Sequence, residues 1–373
     1  MRIVVAMDSF KGTLTALDAC KTISDAIGRV LSDATVILKP MADGGEGTAR
    51  AMIEAGGGGW VGRKVMGPLP EMNVEAGFGW FTDGTALVEM AAASGLELLT
   101  SEQLDPLRTT TYGTGQLIAA AIHYGARKIL LAVGGSATVD GGVGAAAALG
   151  WKFLDAEGEA VALGGAGLGE IAKIGKPGKP IIVAVEVLCD VDNPLCGEHG
   201  AAKVYGPQKG ATAEMVERLE RGLAHLAHIV GVQLGTDIEN VPGAGAAGGL
   251  AAGAIAFMDA TIVSGIETVM RRSNLQAALN SADWVITGEG SFDRQSLHGK
   301  VVCGILKLAR QSDTRVAVLA GQVKIRPQEY RNLGIETALA SKPDDLPLAD
   351  ALKNSRELLG SAAERLAQEY LAR

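Results

Sequence analysis

Apolar runs of strand length alternate with helix-period segments through most of this 373-residue chain. That alternation restricts the fold most, because it asks for parallel strands joined by helical crossovers. Residues 2–7 read as a strand, DSFKGTLT as the loop after it, and residues 15–32 as an amphipathic helix opened by Thr15 and Asp18 in a capping pattern. ATVILKPM, the loop ADGGEGT and a helix near 47–55 repeat the unit. From about residue 65, VMGPLPEMNVEAGFGWFTDGTALVEMA breaks into short extended runs separated by Pro, Asn and Asp-Gly turn signals. This marks an inserted segment, which continues through a helix near 113–124, the strand KILLAVG, the loop GGSATVDGG, the strand IIVAVEVLCD and a polar helix near 213–230. After Asp259 the alternation resumes with a helix near 266–281, WVITGEG, a helix near 299–311, RVAVLAG and a terminal helix near 347–371. The expected fold class is α/β: a Rossmann-like parallel-sheet domain formed by both chain ends (1–64 and 265–373), interrupted by an inserted mixed-sheet α/β domain (65–264). The cleft between the domains is the expected ligand site.

Composition removes several classes of function. A formal net charge of −8 opposes binding to nucleic acid or to an anionic membrane. The cysteines at 20, 189, 196 and 303 form no CxxC pair, so no disulfide framework is expected. RIVVAMDSF has neither the basic start nor the long apolar core of a signal peptide. GAGAAGGLAAGAIAF is too short and too rich in Gly and Ala to span a bilayer. The expectation is a cytoplasmic protein with small-molecule partners, no nucleic acid and no membrane; the sequence leaves a homo-oligomer open.

Strand ends deliver acidic or small polar residues into glycine-rich loops at Asp8-Ser9-Phe10-Lys11, Asp43-Gly44-Gly45-Glu46-Gly47, Asp190 to Asn193, and Gly288-Glu289-Gly290 followed by Asp293. Any one such loop is also an ordinary turn or helix cap. Together they point to one site, because the carboxyl ends of strands form the ligand crevice of an open α/β sheet. Carboxylates, a lysine and exposed amides are what phosphoryl transfer needs: Mg²⁺ ligands, a base and donors that spread charge. GGSATVDGG (134–142) follows a strand and precedes a helix, so its amides are a candidate anion nest. The competing reading is a turn whose glycines serve backbone shape alone. Lys11, in the first strand-to-helix loop, is placed to reach a carboxylate or phosphate.

Other patterns carry less. No G-x-x-x-x-G-K-[ST] occurs, which disfavours a Walker-type NTPase. Gly243-Ala-Gly245-Ala-Ala-Gly248 fits G-x-G-x-x-G but follows Val-Pro without a strand, so it reads as a loop opening a helix. Cys189, Cys196 and His199 fit no structural zinc spacing, and His225 and His228 share a helix face without further ligands. The residues alone thus reach a Mg²⁺-dependent phosphotransferase acting on a small anion, with the acceptor unnamed.

The segments DSFKGT (8–13), PMADGGEGT (40–48), EMAAASGL (89–96), TTTYGTG (109–115), GGSATVDGG (134–142), CDVDNPLCG (189–197), VYGPQKGA (204–211), PGAGAAGGL (242–250) and VITGEGSFDRQSLHGK (285–300) resemble, in this order, the bacterial glycerate kinase family of glyoxylate and sugar-acid degradation. The resemblance implies ATP and Mg²⁺ as cosubstrates, D-glycerate as acceptor and 2-phosphoglycerate as product. It highlights Asp8, Ser9, Lys11, Asp43, Gly44, Glu46, Ser136, Asp190, Asp192, Asn193, Glu289, Asp293 and Gln295. Within it, Lys11 and Ser9 are expected to hold the glycerate carboxylate, with Asp8, Asp43, Gly44, Glu46 and Asn193 completing the substrate site. Asp190 or Asp293 is expected to take the hydroxyl proton, Asp192 and Glu289 to hold Mg²⁺, and Gly134, Gly135, Ser136 and Thr138 to cradle the ATP phosphates. Two departures stand out: Val139 occupies a position where the family usually has Asn, removing a donor near the nest, and GKVVCG (299–304) lacks a Pro common there. The alternatives are a kinase giving 3-phosphoglycerate or using another short hydroxy acid, and a glycerate-binding sensor without turnover. No DNA-binding motif or basic face accompanies the last.

Overall fold

The computed structural model describes residues 1–10, 12–42, 44–45, 47–180, 182–297 and 301–372, apart from the side chain of Gln295. Two compact units make up the chain: Met1–Asp43, Arg50–Gly57 and Ile266–Arg373 form the first, Gly44–Ala49 and Gly58–Gly265 the second.

The first unit carries a five-stranded sheet of β1 (Arg2–Met7), β2 (Thr35–Leu38), β11 (Trp284–Gly288), β13 (Arg315–Ala320) and β15 (Ile335–Ala340), in the order β15-β13-β11-β1-β2. Every pairing is parallel. Counted along the chain the order is 2-1-3-4-5, a doubly wound sheet that reverses direction of growth between β1 and β11. Ile3 to Met7 are all fully buried, as strands covered on both faces require. The helix Ala16–Val30 starts where Thr15 accepts the Asp18 N–H at 3.1 Å. Its Ala19, Cys20, Ile23, Ala26 and Ile27 form one stripe, packed in a single core with Ile3, Val5, Ile286 and with Leu359, Ala363 and Leu366 of the helix Ser355–Leu366.

Two of the expected long helices are interrupted. The segment near 266–281 divides into Gly265–Arg272 and Leu275–Leu279 because Asn274 takes a left-handed φ of 52°. The terminal segment divides into Leu348–Lys353, Ser355–Leu366 and a π-turn at Ala367–Leu371. The edge strand β15 was not anticipated, since exposed Glu336 interrupts its apolar run. At the end of β11, a Cβ on Gly288 would overlap the Leu319 carbonyl oxygen of β13. Gly288→Ala is therefore expected to cost about 3 kcal/mol of stability through forced strand separation, measured by urea denaturation; an unchanged midpoint would show that the strand ends part freely.

The second unit holds a mixed six-stranded sheet, in the order β10-β9-β6-β5-β4-β3, from β3 (Gly59–Met66), β4 (Asn73–Trp80), β5 (Thr85–Glu89), β6 (Lys128–Ala132), β9 (Ala184–Leu188) and β10 (Thr261–Val263). The β3-β4-β5 edge is antiparallel and β5-β6-β9-β10 is parallel. The small pairs β7 (Lys152–Leu154) with β8 (Lys173–Gly175), and β12 (Ser291–Phe292) with β14 (Gln322–Val323), complete the described strands. One core covers the sheet, with Phe78, Val88, Leu117, Leu131 and Leu250; a second gathers Val139, Val143, Leu168 and Phe153 under Leu219, Leu223 and Leu226 of the helix Ala213–Leu234.

A boundary between 64 and 65 cuts through β3, which pairs with β4 from Gly59↔Trp80 to Met66↔Asn73. Residues 58–64 therefore belong to the second unit; Pro68 and Pro70 mark the turn of this hairpin rather than a domain edge. Among the described residues no helix is long and apolar enough to cross a membrane.

Candidate active site

In the first unit, β1 and β11 end side by side, with Met7 opposite Gly288. The Asp8 N–H donates to the Gly288 carbonyl at 2.9 Å, and the Ser9 N–H donates to the Asp8 carboxylate at 2.6 Å. Glu289 follows β11, and its carbonyl accepts the Gly321 N–H at 3.2 Å. Asp8, Ser9 and Glu289, all half-buried, thus stand where the strand order reverses, the usual ligand crevice of such a sheet. Asp293 lies beyond this edge; its carboxylate accepts the Ser291 hydroxyl at 3.3 Å, and its N–H donates to Ser296 at 3.1 Å.

The second unit has its own edge, where β5, β6, β9 and β10 run out at Glu89, Gly134, Asp190 and Ser264. Gly44, Gly45 and Thr48 lie across it. The Gly44 carbonyl accepts the Gly134 N–H at 3.3 Å, the Glu89 carboxylate accepts the Ala49 N–H at 2.8 Å, and the Thr48 hydroxyl donates to Gly45 at 2.6 Å. A Cβ on Gly134 would stand 2.5 Å from the Gly45 Cα, and one on Gly44 3.2 Å from the Leu188 carbonyl. Both glycines are required because two backbones meet there. Asp190, half-buried after β9, is seated by the Ser264 hydroxyl, which donates to its Oδ1 at 2.7 Å. Burial pushes the neighbouring Cys189 thiol up from its ordinary value, and Asp190 and Asp192 add to the rise, so Cys189 is not poised as a nucleophile.

The loop GGSATVDGG departs from the expected nest. Its anion seat is filled by the chain's own Asp140, completely buried, which accepts the N–H groups of Thr111 (2.7 Å), Gly142 (3.1 Å) and Gly144 (3.3 Å) and the hydroxyls of Thr110 and Thr111. These N–H groups include those at the start of the helix Val143–Ala148, which is therefore closed to an outside phosphate. Burial pushes the Asp140 carboxyl up from its ordinary value, while these donors pull it back. Within the loop, the Ala137 N–H donates to Ser94 at 3.0 Å and the Thr138 N–H to the Ser136 hydroxyl at 3.2 Å. Thr138 is fully buried, so it is removed from direct nucleotide contact. Gly135, with φ 75°, is the exposed residue of the loop. Val139 points into the second core, so the donor it lacks would not face a ligand.

Asn193 is also engaged: its amide nitrogen donates to the His199 carbonyl at 2.8 Å, and its amide oxygen accepts the Tyr205 hydroxyl at 2.7 Å. These two bonds tie it into the loop after β9. Asp192 is exposed. Lys11, Asp43, Glu46 and the side chain of Gln295 lie outside the described residues. The G-x-G-x-x-G segment serves packing: a Cβ on Gly245 would overlap the Pro194 carbonyl, and one on Gly248 the Thr138 carbonyl. Among the described residues no group of three or more His, Cys, Asp or Glu is able to hold a metal ion. Sequence reasoning passed over Glu89, Ser264, Asp140 and Lys209; Glu89, Asp140 and Lys209 lie within motifs it quoted, read there as loop character rather than as partners.

Comparison with known proteins follows the same segments. The family model described as "Glycerate kinase family" matches residues 3–371. A glycerate kinase of Halalkalibacterium halodurans is 44% identical over 369 residues, covering 98% of this chain and 97% of that protein. The glycerate 2-kinase of Escherichia coli is 41% identical over 371 residues, covering 98% and 97%. A crystal structure assigned to glycerate kinase 2 of Salmonella typhimurium LT2 superposes with a TM-score of 0.87 at 42% identity, covering 100% of this chain and 98% of that one. With the match unbroken across both units, the chain belongs to the glycerate kinase family.

Proposed function

We propose that this enzyme transfers the γ-phosphoryl group of ATP to the 2-hydroxyl of D-glycerate, giving 2-phosphoglycerate and ADP. The observation that carries this reading is Asp190, a carboxylate seated by Ser264 beside the Gly44–Gly134 backbone junction, in a chain aligned from end to end with glycerate kinases. Asp190 accepts the hydroxyl proton as the substrate oxygen bonds to the γ-phosphorus and the bond from that phosphorus to the β,γ-bridging oxygen breaks, releasing ADP. Asp293 is the second candidate for this base. Lys11 and Ser9 are assigned to the glycerate carboxylate on charge and donor chemistry. The Gly135 and Ser136 N–H groups, which have no hydrogen-bond partner among the described residues, are assigned to phosphate oxygens.

Mg²⁺ fits the donor set present. It is commonly held by one or two carboxylates together with substrate phosphates, so no cluster of three protein ligands is needed. Exposed Asp192 and half-buried Glu289 are the candidate carboxylates for it, on charge and donor chemistry alone. When bound, the ion would offset the charge of the phosphate groups.

ADP release measured with ATP, Mg²⁺ and D-glycerate, with product position read by phosphorus NMR, tests the proposal. Glycerate-dependent 2-phosphoglycerate is the expected result. A 3-phosphoglycerate signal would move the acceptor to the other hydroxyl, and glycerate binding without turnover would replace the kinase with a sensor.

A further inference from the structure

Lys209 is the one fully buried lysine among the described residues, 2% exposed at the end of the short helical turn Pro207–Lys209. Lysines are almost never buried without a specific partner, because taking an ammonium out of water is costly. Here the Nζ donates to the Thr138 carbonyl at 2.7 Å and to the Ser136 hydroxyl at 3.1 Å. The ammonium thus ties together the two ends of Ser136–Thr138 from the buried side of the loop. On its other flank the loop is fixed by the Leu96 N–H donating to Gly135 at 2.8 Å and the Ala137 N–H donating to Ser94 at 3.0 Å. Held on both flanks, the chain at Gly135 and Ser136 is left with two adjacent N–H groups and an exposed glycine. Buried Asp140 supplies the opposing charge; its field and burial act on Lys209 in opposite senses, and burial prevails, lowering the ammonium to about 7.

We propose that Lys209 is a positioning residue for the nucleotide, bracing the Gly135–Ser136 amides so that they meet the ATP phosphates in a fixed geometry. A methionine would fill the same space without the desolvation cost, so retention of an ammonium is explained by the two hydrogen bonds it gives to the loop. The inference rests on the reading that Gly135 and Ser136 face the nucleotide, and the experiment separates the two.

Steady-state constants for both substrates are measured on Lys209→Met and, separately, on Gly135→Ala, which strains a left-handed backbone position within the loop itself. Melting temperatures are recorded alongside. Lys209→Met is expected to raise KM for ATP on the order of tenfold and to lower kcat by a similar factor, because a loosened loop misplaces the phosphates. KM for glycerate is expected to stay within about twofold, since uniform binding of the second substrate is untouched. Should Lys209→Met fail to fold, Lys209→Gln, with one amide donor on a shorter stem, is read in the same way. A lowered melting temperature with both KM values unchanged, while Gly135→Ala raises KM for ATP, overturns the positioning role and leaves the loop reading standing. An equal rise in both KM values also overturns it. If neither Lys209 nor Gly135 variants move KM for ATP, the loop does not face the nucleotide and the inference falls with that reading.

Discussion

Asp190→Asn is expected to lower kcat by about 10³-fold while leaving the affinity for glycerate within about twofold. The substitution preserves size and keeps an oxygen able to accept the Ser264 hydroxyl that now donates to Asp190 at 2.7 Å. It removes the ability to take a proton, because a carboxamide is far less basic than a carboxylate. The seat of the side chain is thereby held constant while its chemistry is removed, and this separates a base from a residue that merely shapes the strand end. Single-turnover rates with glycerate affinity from calorimetry, and the melting temperature as a control, give the readout. Turnover within a few-fold of the parent would transfer the base to Asp293, whose carboxylate accepts from Ser291 at 3.3 Å; Asp293→Asn would then carry the loss. A fall in glycerate affinity equal to the fall in kcat/KM would instead mark Asp190 as a binding group.

The alternation of apolar runs made the parallel strands legible, because a buried parallel strand is a continuous apolar run and RIVVAM, KILLA, WVITG and RVAVLA each read that way. Thr15 gave the start of its helix for the same local reason, a side chain that accepts from the backbone three residues on. What failed was whatever depends on partners distant in sequence. The turn signals before β4 are the same whether a hairpin lies inside a domain or at its edge, so the cut fell within β3. In the candidate site, the positions of the residues after β1, β9 and β11 at strand ends were legible because strand ends are marked locally. The partners that engage Thr138 and Asn193 were not legible, since what occupies a side chain is set by neighbours such as Lys209 and Tyr205 that only the fold supplies. GGSATVDGG looked like an empty anion nest because nothing in the run says that its own aspartate turns inward to fill it.

That aspartate is the site of the largest expected loss of stability. Asp140→Ala strips acceptors from the N–H groups of Thr111, Gly142 and Gly144 in a fully buried setting, and leaves Lys209 without its opposing charge. Breaking a buried pair from one side in this way is expected to cost on the order of 3–5 kcal/mol near neutral pH. The loss should also depend on pH, with a definite sign. Lys209 has a folded pKa of about 7, below its ordinary 10.5, so the unfolded chain binds more protons between these values. Its contribution is therefore most favourable above 10.5 and is lost as pH falls toward 7. Without Asp140 the folded value drops further, because the carboxylate was the influence raising it, and the acid-side loss deepens in the variant. Asp140 acts in the same sense: burial raises its folded pKa, so the parent gains relative stability as pH falls through that value, a gain the variant lacks. The gap between parent and variant is accordingly expected to widen as pH is lowered from 8 to 5, by at most about 1.4 kcal/mol per pH unit for each group titrating in the window. Urea denaturation of both proteins across that range measures it. A gap that stays constant with pH would mean that Asp140 acts only as a hydrogen-bond acceptor for the loop, with no electrostatic hold on Lys209; a gap that narrows toward acid would overturn the sense assigned to both groups.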